Sequence, residues 1–545
     1  MKIPPVMGIN SIAAETIITT AYNRRRCAMT QQAVFDNSSG GEQKVFTGEG
    51  SFEKNLAYCR RLKGKNVDVL IREYTLADGR RCAAVAVDGM TNKQNLEMSV
   101  ILASRRFSPL STDNKFSSAD GFDQQFASVE LTATDSLSGG YISALSGDVM
   151  VIAEGEREVL VCGYRFISSR SVGDSPFGGS VRAPHEAFIE TLRLNTALIR
   201  RRIADPNLVF EPMTVGRHSR TAVNLCYILG VTSPRLIDEA RRRIDAIDID
   251  IINDSGELEQ LIEDDPSSLF PQTDGSELPD VVAAELCAGR VAIIVNGSPY
   301  VLLLPATLSR MMKAGEDDYQ RWSYSSFVRL LRWAAMAISI LAPSLYVAMV
   351  SFHPGMLPTS LLILTAVNRL NVPFSAFAEV LIVELALELL REASIRMPKN
   401  IGSALSIVGG IIIGDAALNA GLVSPLLIVI VGISTMAGFV IPSYPLASSY
   451  RLIKYMLLGF SALLGLFGLV CGVILWLSMM VSVRSFGTDF AAPFFPFDAH
   501  DAGKSIIEPP ISARTSRPAY LDPLDRIRLQ TTNRERRKGS DRTDA

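Results

Sequence analysis

The strongest constraint on this fold is a charged helix set in an apolar neighbourhood. Residues 373–400, PFSAFAEVLIVELALELLREASIRMPKN, carry Glu379, Glu384, Glu388, Arg391, Glu392 and Arg396, and most other positions are Val, Ile, Leu, Ala or Phe. The segments around it are apolar enough to sit in a bilayer. At about 100° per residue, Glu384, Glu388 and Arg391 share one helical face, and Glu379 lies well away from it. A carboxylate at membrane depth costs on the order of 3 kcal/mol unless it is paired or wetted. Such a segment belongs against a polar lumen, in a protein interface, or along a membrane surface.

Apolar residues are unevenly placed over the 545 positions, and this divides the chain. Residues 1–47 read as a flexible lead-in, 48–185 as a first soluble lobe and 186–320 as a second. Residues 321–483 read as a transmembrane helical domain and 484–545 as a polar tail, disordered from Arg514. The expected class is therefore α+β with an α-helical membrane part: two cytosolic α/β lobes followed by a polytopic helical domain. Met1–Thr20 has one Lys and an interrupting Glu15, which does not fit a signal peptide, so membrane insertion falls to the later segments. A net charge of −2 argues against a dedicated nucleic-acid binder, and Arg24-Arg25-Arg26 fits a solvated basic tail. The seven Cys form no CxxC pair, which suits a reducing compartment and argues against a disulfide frame or a zinc site.

Within the first lobe, SFEKNLAYCRRL reads as a helix. A hairpin follows, turning at Asp78-Gly79, then a helix at NKQNLEMSVILA and a second hairpin at 149–164. A similar order returns with a strand, turn and helix over 221–244 and a hairpin over 291–305 turning at Asn296-Gly297. This predicts two related lobes. Between them, 185–203 reads as a charged helix whose triple Arg is a solvated face or a lobe contact.

The apolar half gives candidate spans at Phe327–Val350, with Pro343 kinking it, at Ile401–Ala420 with Asp415, at Val423–Ile441, and at Ile453–Val481. Gly355–Val367 is short enough to be re-entrant. With the charged helix, this predicts four to six crossings. Arg329 and Arg332 at the start of the first span place the N-terminal part on the cytoplasmic side.

Catalytic signals are absent. The four His are scattered, no phosphate-binding loop or dinucleotide motif occurs, and the acidic run 248–266 lacks calcium-loop spacing. The reading is a non-enzyme with no cofactor and no metal. Packing signals are clearer: Gly402, Ser406, Gly410 and Gly414 form a small-residue stripe on one apolar helix. The stripe serves either packing within the chain or oligomerisation.

Long ordered stretches carry a family resemblance. They include FIETLRLNTALIRRRIADPNL at 188–208, IDEARRRIDAIDIDIINDSGELEQLIEDDPSSLFPQ, PDVVAAELCAGRVAIIVNGSPYVLLLPATL, LAPSLYVAMVSFHP, VPFSAFAEVLIVELALELLREASIRMP, IVGGIIIGDAALNAGLVSP and RSFG. From about Ser51 to Phe497 the chain resembles the A subunits of the GerA-type spore germinant receptors. It departs from their pattern at Arg182-Ala183-Pro184-His185-Glu186 and at Ser276-Glu277-Leu278-Pro279-Asp280.

The resemblance implies an integral protein of the inner membrane of a bacterial endospore, with its N-terminal domain on the core side. It implies work beside a B-type transporter-like subunit and a C-type lipoprotein, with homo-oligomerisation, contact with membrane lipid and no nucleic-acid partner. The implied activity is coupling of nutrient sensing to ion release as a ligand-gated channel. On that reading Glu384 and Glu388 line the ion path, with Arg391 at its mouth. The same charges also admit a plainer arrangement, Glu388 with Arg391 and Glu392 with Arg396 along a surface helix. Other readings are a paralogue associated with dipicolinic acid release, a membrane-anchored scaffold, and a secondary transporter.

Overall fold

The computed structural model describes residues 43–48, 50–76, 79–92, 94, 96–97, 130–166, 184–370, 372–396 and 412–529. The helix read at NKQNLEMSVILA falls mostly outside them.

The first lobe opens with α1, Ser51–Lys63. Glu53 sits in its first turn, basic residues occupy its last, and Phe52, Asn55, Leu56 and Cys59 form the buried stripe. β1 (Val69–Thr75) and β2 (Arg81–Val87) make the expected hairpin, with Gly79 at φ 87°. Beyond them come β3 (Leu131–Thr134), α2 (Leu137–Leu145), β4 (Val149–Ala153) and β5 (Val159–Cys162). The sheet order is β1-β2-β4-β5-β3, antiparallel throughout.

The link α3, Leu192–Arg202, is shorter than the 185–203 reading. Asn195 holds the preceding turn by bonding the backbone of Ile189. The second lobe contains β6 (Leu208–Val215), β7 (Thr221–Ile228), α4 (Pro234–Asp245), α5 (Ser255–Ile262) and β8 (Asp274–Ser276). It closes with α6 (Pro279–Ala288), β9 (Val291–Val295) and β10 (Val301–Leu304). Its sheet runs β6-β7-β9-β10-β8, the order of the first lobe repeated. β6 went unread because Pro212 lies inside it. Proline is tolerated there because β6 is an edge strand. The acidic run is absorbed locally: Asp248 bonds Arg217, Asp264 bonds Arg243, and Asp254 caps α5.

The apolar half forms α7 (Trp322–Ser351), α8 (Thr359–Arg369), α9 (Ala376–Arg396), α10 (Pro425–Phe439) and α11 (Tyr444–Ser482). Among the described residues, two helices are long and apolar enough to cross a membrane, α7 and α11. α7 runs through Pro343, which removes the donor for the Ser339 carbonyl; the Ser434 hydroxyl of α10 takes that place at 2.9 Å.

α11 corrects the reading of 453–481 as one long span. Gly465 has φ 61° and ψ −136°, a conformation for glycine alone. The chain reverses there. In a straight helix Tyr450 and Trp476 would lie about 39 Å apart, yet their rings meet at 6.0 Å. The halves 444–464 and 466–482 therefore pack as a helical hairpin. Phe352, just past α7, fills the turn: a Cβ on Gly465 would fall 2.7 Å from it. The lobe end of the bundle is fixed by Tyr450 against Phe270 of the second lobe. The far end is fixed by Phe352 at Gly465.

Residues 484–529 correct the reading of a disordered tail from Arg514. Ser485 bridges Gln272 and Ala306 of the second lobe. α12, Ala499–Ile506, follows. Arg517 Nε then donates to the Cys287 carbonyl at 2.8 Å, Leu524 N to Val231 at 2.9 Å, and Leu521 is buried. Ser485 and Arg517 find partners on the lobe and Glu508 finds Arg329 on α7, which composition alone does not reveal.

Candidate functional site

The charged helix α9 lies inside the bundle with its carboxylates at three levels. Nearest the far end, Glu379 is fully buried. Its Oε1 accepts from Ser424 N, the N-cap of α10, at 2.5 Å, and the Ser424 hydroxyl lies 3.1 Å from Tyr346 OH of α7. Its Oε2 has no hydrogen-bond partner among the described residues.

Five residues on, Glu384 Oε2 pairs with Lys454 Nζ of α11 at 2.5 Å. Both side chains are under a tenth exposed, and Glu384 Oε1 has no partner among the described residues. Lys454 lies eleven residues from the Gly465 turn, about 16 Å along the helix, near mid-depth. At the lobe end, Glu388 takes Arg391 and, at 3.3 Å, Arg451 of α11. Arg391 also stacks over Phe439, 5.3 Å from the ring centroid. Glu392 and Arg396 pair on the exposed surface.

The structure thus brings Glu384, Glu388 and Arg391 onto the face that meets α11, while Glu379 turns toward α10. Sequence reasoning gave Glu384 no partner, because Lys454 is 70 residues away and only the packing of two helices joins them. Lys454 and Arg451 carried a signal, a Lys and an Arg four residues or fewer from each other at the start of an apolar helix, but nothing in the sequence named their counter-charges. Of the stripe, Gly402, Ser406 and Gly410 lie outside the described residues. Gly414 faces open space, with nothing within 4 Å of an added Cβ, and Asp415 is exposed.

A second charge network joins bundle to lobe. Asp317 accepts from Arg329 Nε at 3.1 Å and from Arg332 Nη1 at 2.6 Å. Glu508 takes both Arg329 and Arg514, and Asp318 takes Arg514 at 2.5 Å and Lys313 at 2.7 Å. Arg329 and Arg332, read from the sequence as markers of membrane side, are buried pairing partners in the structure. A third pair locks the lobes together. Arg200 of α3 bonds Asp68 through Nε at 2.9 Å and Nη2 at 3.2 Å, both side chains being buried. Nearby, Glu211 of β6 takes Lys65, Arg241 and Tyr227; burial raises its carboxyl, but these bonds outweigh burial and hold it at about 2. Among the described residues no group of three or more His, Cys, Asp and Glu is placed to hold a metal ion.

Two α/β sheets of one topology, docked on a helical bundle with buried charges, define a lobed protein with a membrane-type helical half. The family described as Bacillus/Clostridium GerA spore germination protein matches residues 57–520, and this chain belongs to it. It is 36% identical over 484 residues to spore germination protein KA of Bacillus subtilis, covering 88% of each chain. Spore germination protein B1 of the same organism is 34% identical, covering 88% of this chain and 99% of that one. A further Bacillus subtilis relative, 33% identical over 86% of this chain and 91% of its own, is named uncharacterized membrane protein YfkQ. The crystal structure of the N-terminal domain of the A subunit of the Bacillus megaterium spore germinant receptor GerK3 aligns with 49% of this chain and 98% of that one. The TM-score is 0.39 and the identity 26%.

Proposed function

We propose that this chain is the A-type, non-enzymatic membrane subunit of a spore germinant receptor, coupling nutrient sensing to ion release. In this reading it sits in the inner spore membrane with its lobes on the core side. It assembles with further copies of itself, a B-type transporter-like subunit and a C-type lipoprotein. The observation that carries the reading is the row of carboxylates along the depth of the bundle, Glu379 and Glu384 buried and Glu388 half-exposed, with Glu384 and Lys454 paired at its middle. A charge at that depth is expensive and is retained where ions or protons must pass. Glu384 and Glu388 then line the path or its vestibule, with Arg391 at the lobe-side mouth. Opening separates Glu384 from Lys454 and frees a carboxylate for cations.

Potassium efflux from spores on nutrient addition tests this. Removing one member strands its partner, so the informative variant is Glu384→Gln with Lys454→Gln, which removes both charges. The expected result is normal protein level and assembly with an altered efflux rate or ion preference. Wild-type efflux from that double variant removes Glu384 from the path.

A further inference from the structure

A cavity of about 280 Å³ lies where the second lobe meets the base of α7. Its walls come from one face of α6, the 310–319 connection and the C-terminal segment at 511–529. The volume is just under the ~300–1,000 Å³ of sites for drug-sized ligands, which suits a compact group.

Four basic side chains line it, Arg310, Lys313, Arg514 and Arg528; Glu285 takes Arg310, and Glu508 just outside the lining takes Arg514. Asp318 alone serves two of the cations, Lys313 at 2.7 Å and Arg514 at 2.5 Å. The guanidinium of Arg528 is exposed and bonds no described residue. The same lining holds Asp280, which is 7% exposed. Its Oδ2 accepts from Tyr319 OH at 2.6 Å, and its Oδ1 is buried with no donor among the described residues. A bare anion would leave that acceptor empty. A molecule with a net negative group and a hydroxyl donor satisfies both ends.

We propose that this cavity binds a glycerophosphate group, with the phosphate on Lys313 and Arg528 and a hydroxyl donating to Asp280 Oδ1. Two sources share that chemistry: free glycerol phosphate and the headgroup of phosphatidylglycerol. The position favours the headgroup. Tyr319 lines the cavity three residues before α7 begins. Trp322, Tyr324 and Phe327 at the start of α7 are more than half exposed, as in an interfacial aromatic belt. The headgroup source rests on the membrane reading above; binding of free glycerol phosphate does not.

The test uses the full chain in uncharged detergent. One arm titrates glycerol 1-phosphate by calorimetry. The other adds short-chain phosphatidylglycerol, or phosphatidylethanolamine as a control, to the same micelles and follows the thermal midpoint. Both glycerophosphate compounds should bind. Arg528→Glu, an exposed position, should weaken glycerol 1-phosphate at least about tenfold without moving the ligand-free midpoint. Asp280→Asn should weaken glycerol 1-phosphate more than inorganic phosphate. Free compound binding with no response to the lipid overturns the headgroup source while leaving the site. An equal response to phosphatidylethanolamine overturns the hydroxyl assignment. No binding in either arm, or unchanged affinity in Arg528→Glu, overturns the site itself.

Discussion

Two buried ion pairs sit in this molecule under opposite conditions. Between the lobes, Arg200 meets Asp68 with two nearly parallel bonds, and its remaining donors reach the carbonyls of Asp205 and Leu208. The Phe210 ring lies 5.0 Å beneath the guanidinium. Inside the bundle, Lys454 meets Glu384 by one bond, and the second carboxylate oxygen has no partner among the described residues. The first pair is planar, bidentate and satisfied, which recovers most of the desolvation cost. The second joins a point charge to half a carboxylate, so the cost is only partly recovered. One arrangement fixes two lobes in register; the other leaves an acceptor for something else to fill.

That contrast sets the order of expected effects. Arg200→Met should be the most damaging, stranding Asp68 in the interface at a cost of about 3–5 kcal/mol. Denaturant unfolding of the purified chain measures it, and a loss below about 1 kcal/mol would end the claim that this pair locks the lobes. Glu384→Gln should cost about 3 kcal/mol, because Lys454 stays charged and buried, and adding Lys454→Gln should restore most of it. A double-mutant cycle with no coupling would show that water or a partner already serves both charges.

Gly465→Ala comes next, at about 1–3 kcal/mol from the left-handed backbone, with the close Phe352 contact adding to it. It sharpens the comparison because the hairpin turn sets the height of Lys454 opposite Glu384. If the variant retains its thermal midpoint, the turn is not what places the pair.

The smallest effect concerns a buried carboxyl with no cation. Burial pushes Glu259 of α5 up to about 7. Glu263, Asp274 and Asp254 add to the rise, and the Thr273 hydroxyl opposes it. With an unfolded value near ~4.3, the folded state holds the proton across that window. Its stabilisation is full below ~4.3 and falls as pH rises to about 7. Glu211 behaves oppositely: held at about 2, its contribution is lost only as pH falls below ~4.3. Glu259→Gln should therefore flatten stability between pH 5 and 7 and raise it at pH 8 by on the order of 1 kcal/mol. Thermal midpoints across that range, unchanged in slope, would rule out Glu259 as the source.

Much of this was legible in the chain. The hairpins at Gly79 and Asn296-Gly297 follow from turn chemistry, the lobe repeat from the order of elements, and the shared face of Glu384 and Glu388 from helical periodicity. These are local properties, set by spacings of a few residues. What stayed hidden was long in sequence or broke a local rule. β6 hides its strand character behind Pro212, the 444–482 segment hides its reversal because apolar composition runs straight through Gly465, and the C-terminal segment looks like a disordered tail.

The sequence by itself therefore determined where the charges lie along each helix, where the sheets turn, and that 321–483 is an apolar half distinct from the lobes. Only the tertiary structure decided what each charge faces: Glu384 with Lys454, Arg200 with Asp68, Arg329 with Glu508. The physical reason is that periodicity fixes direction around one helix axis. The identity of the neighbour depends on how separate helices pack, and here on the reversal at Gly465 and the return of the C-terminal segment to the lobe.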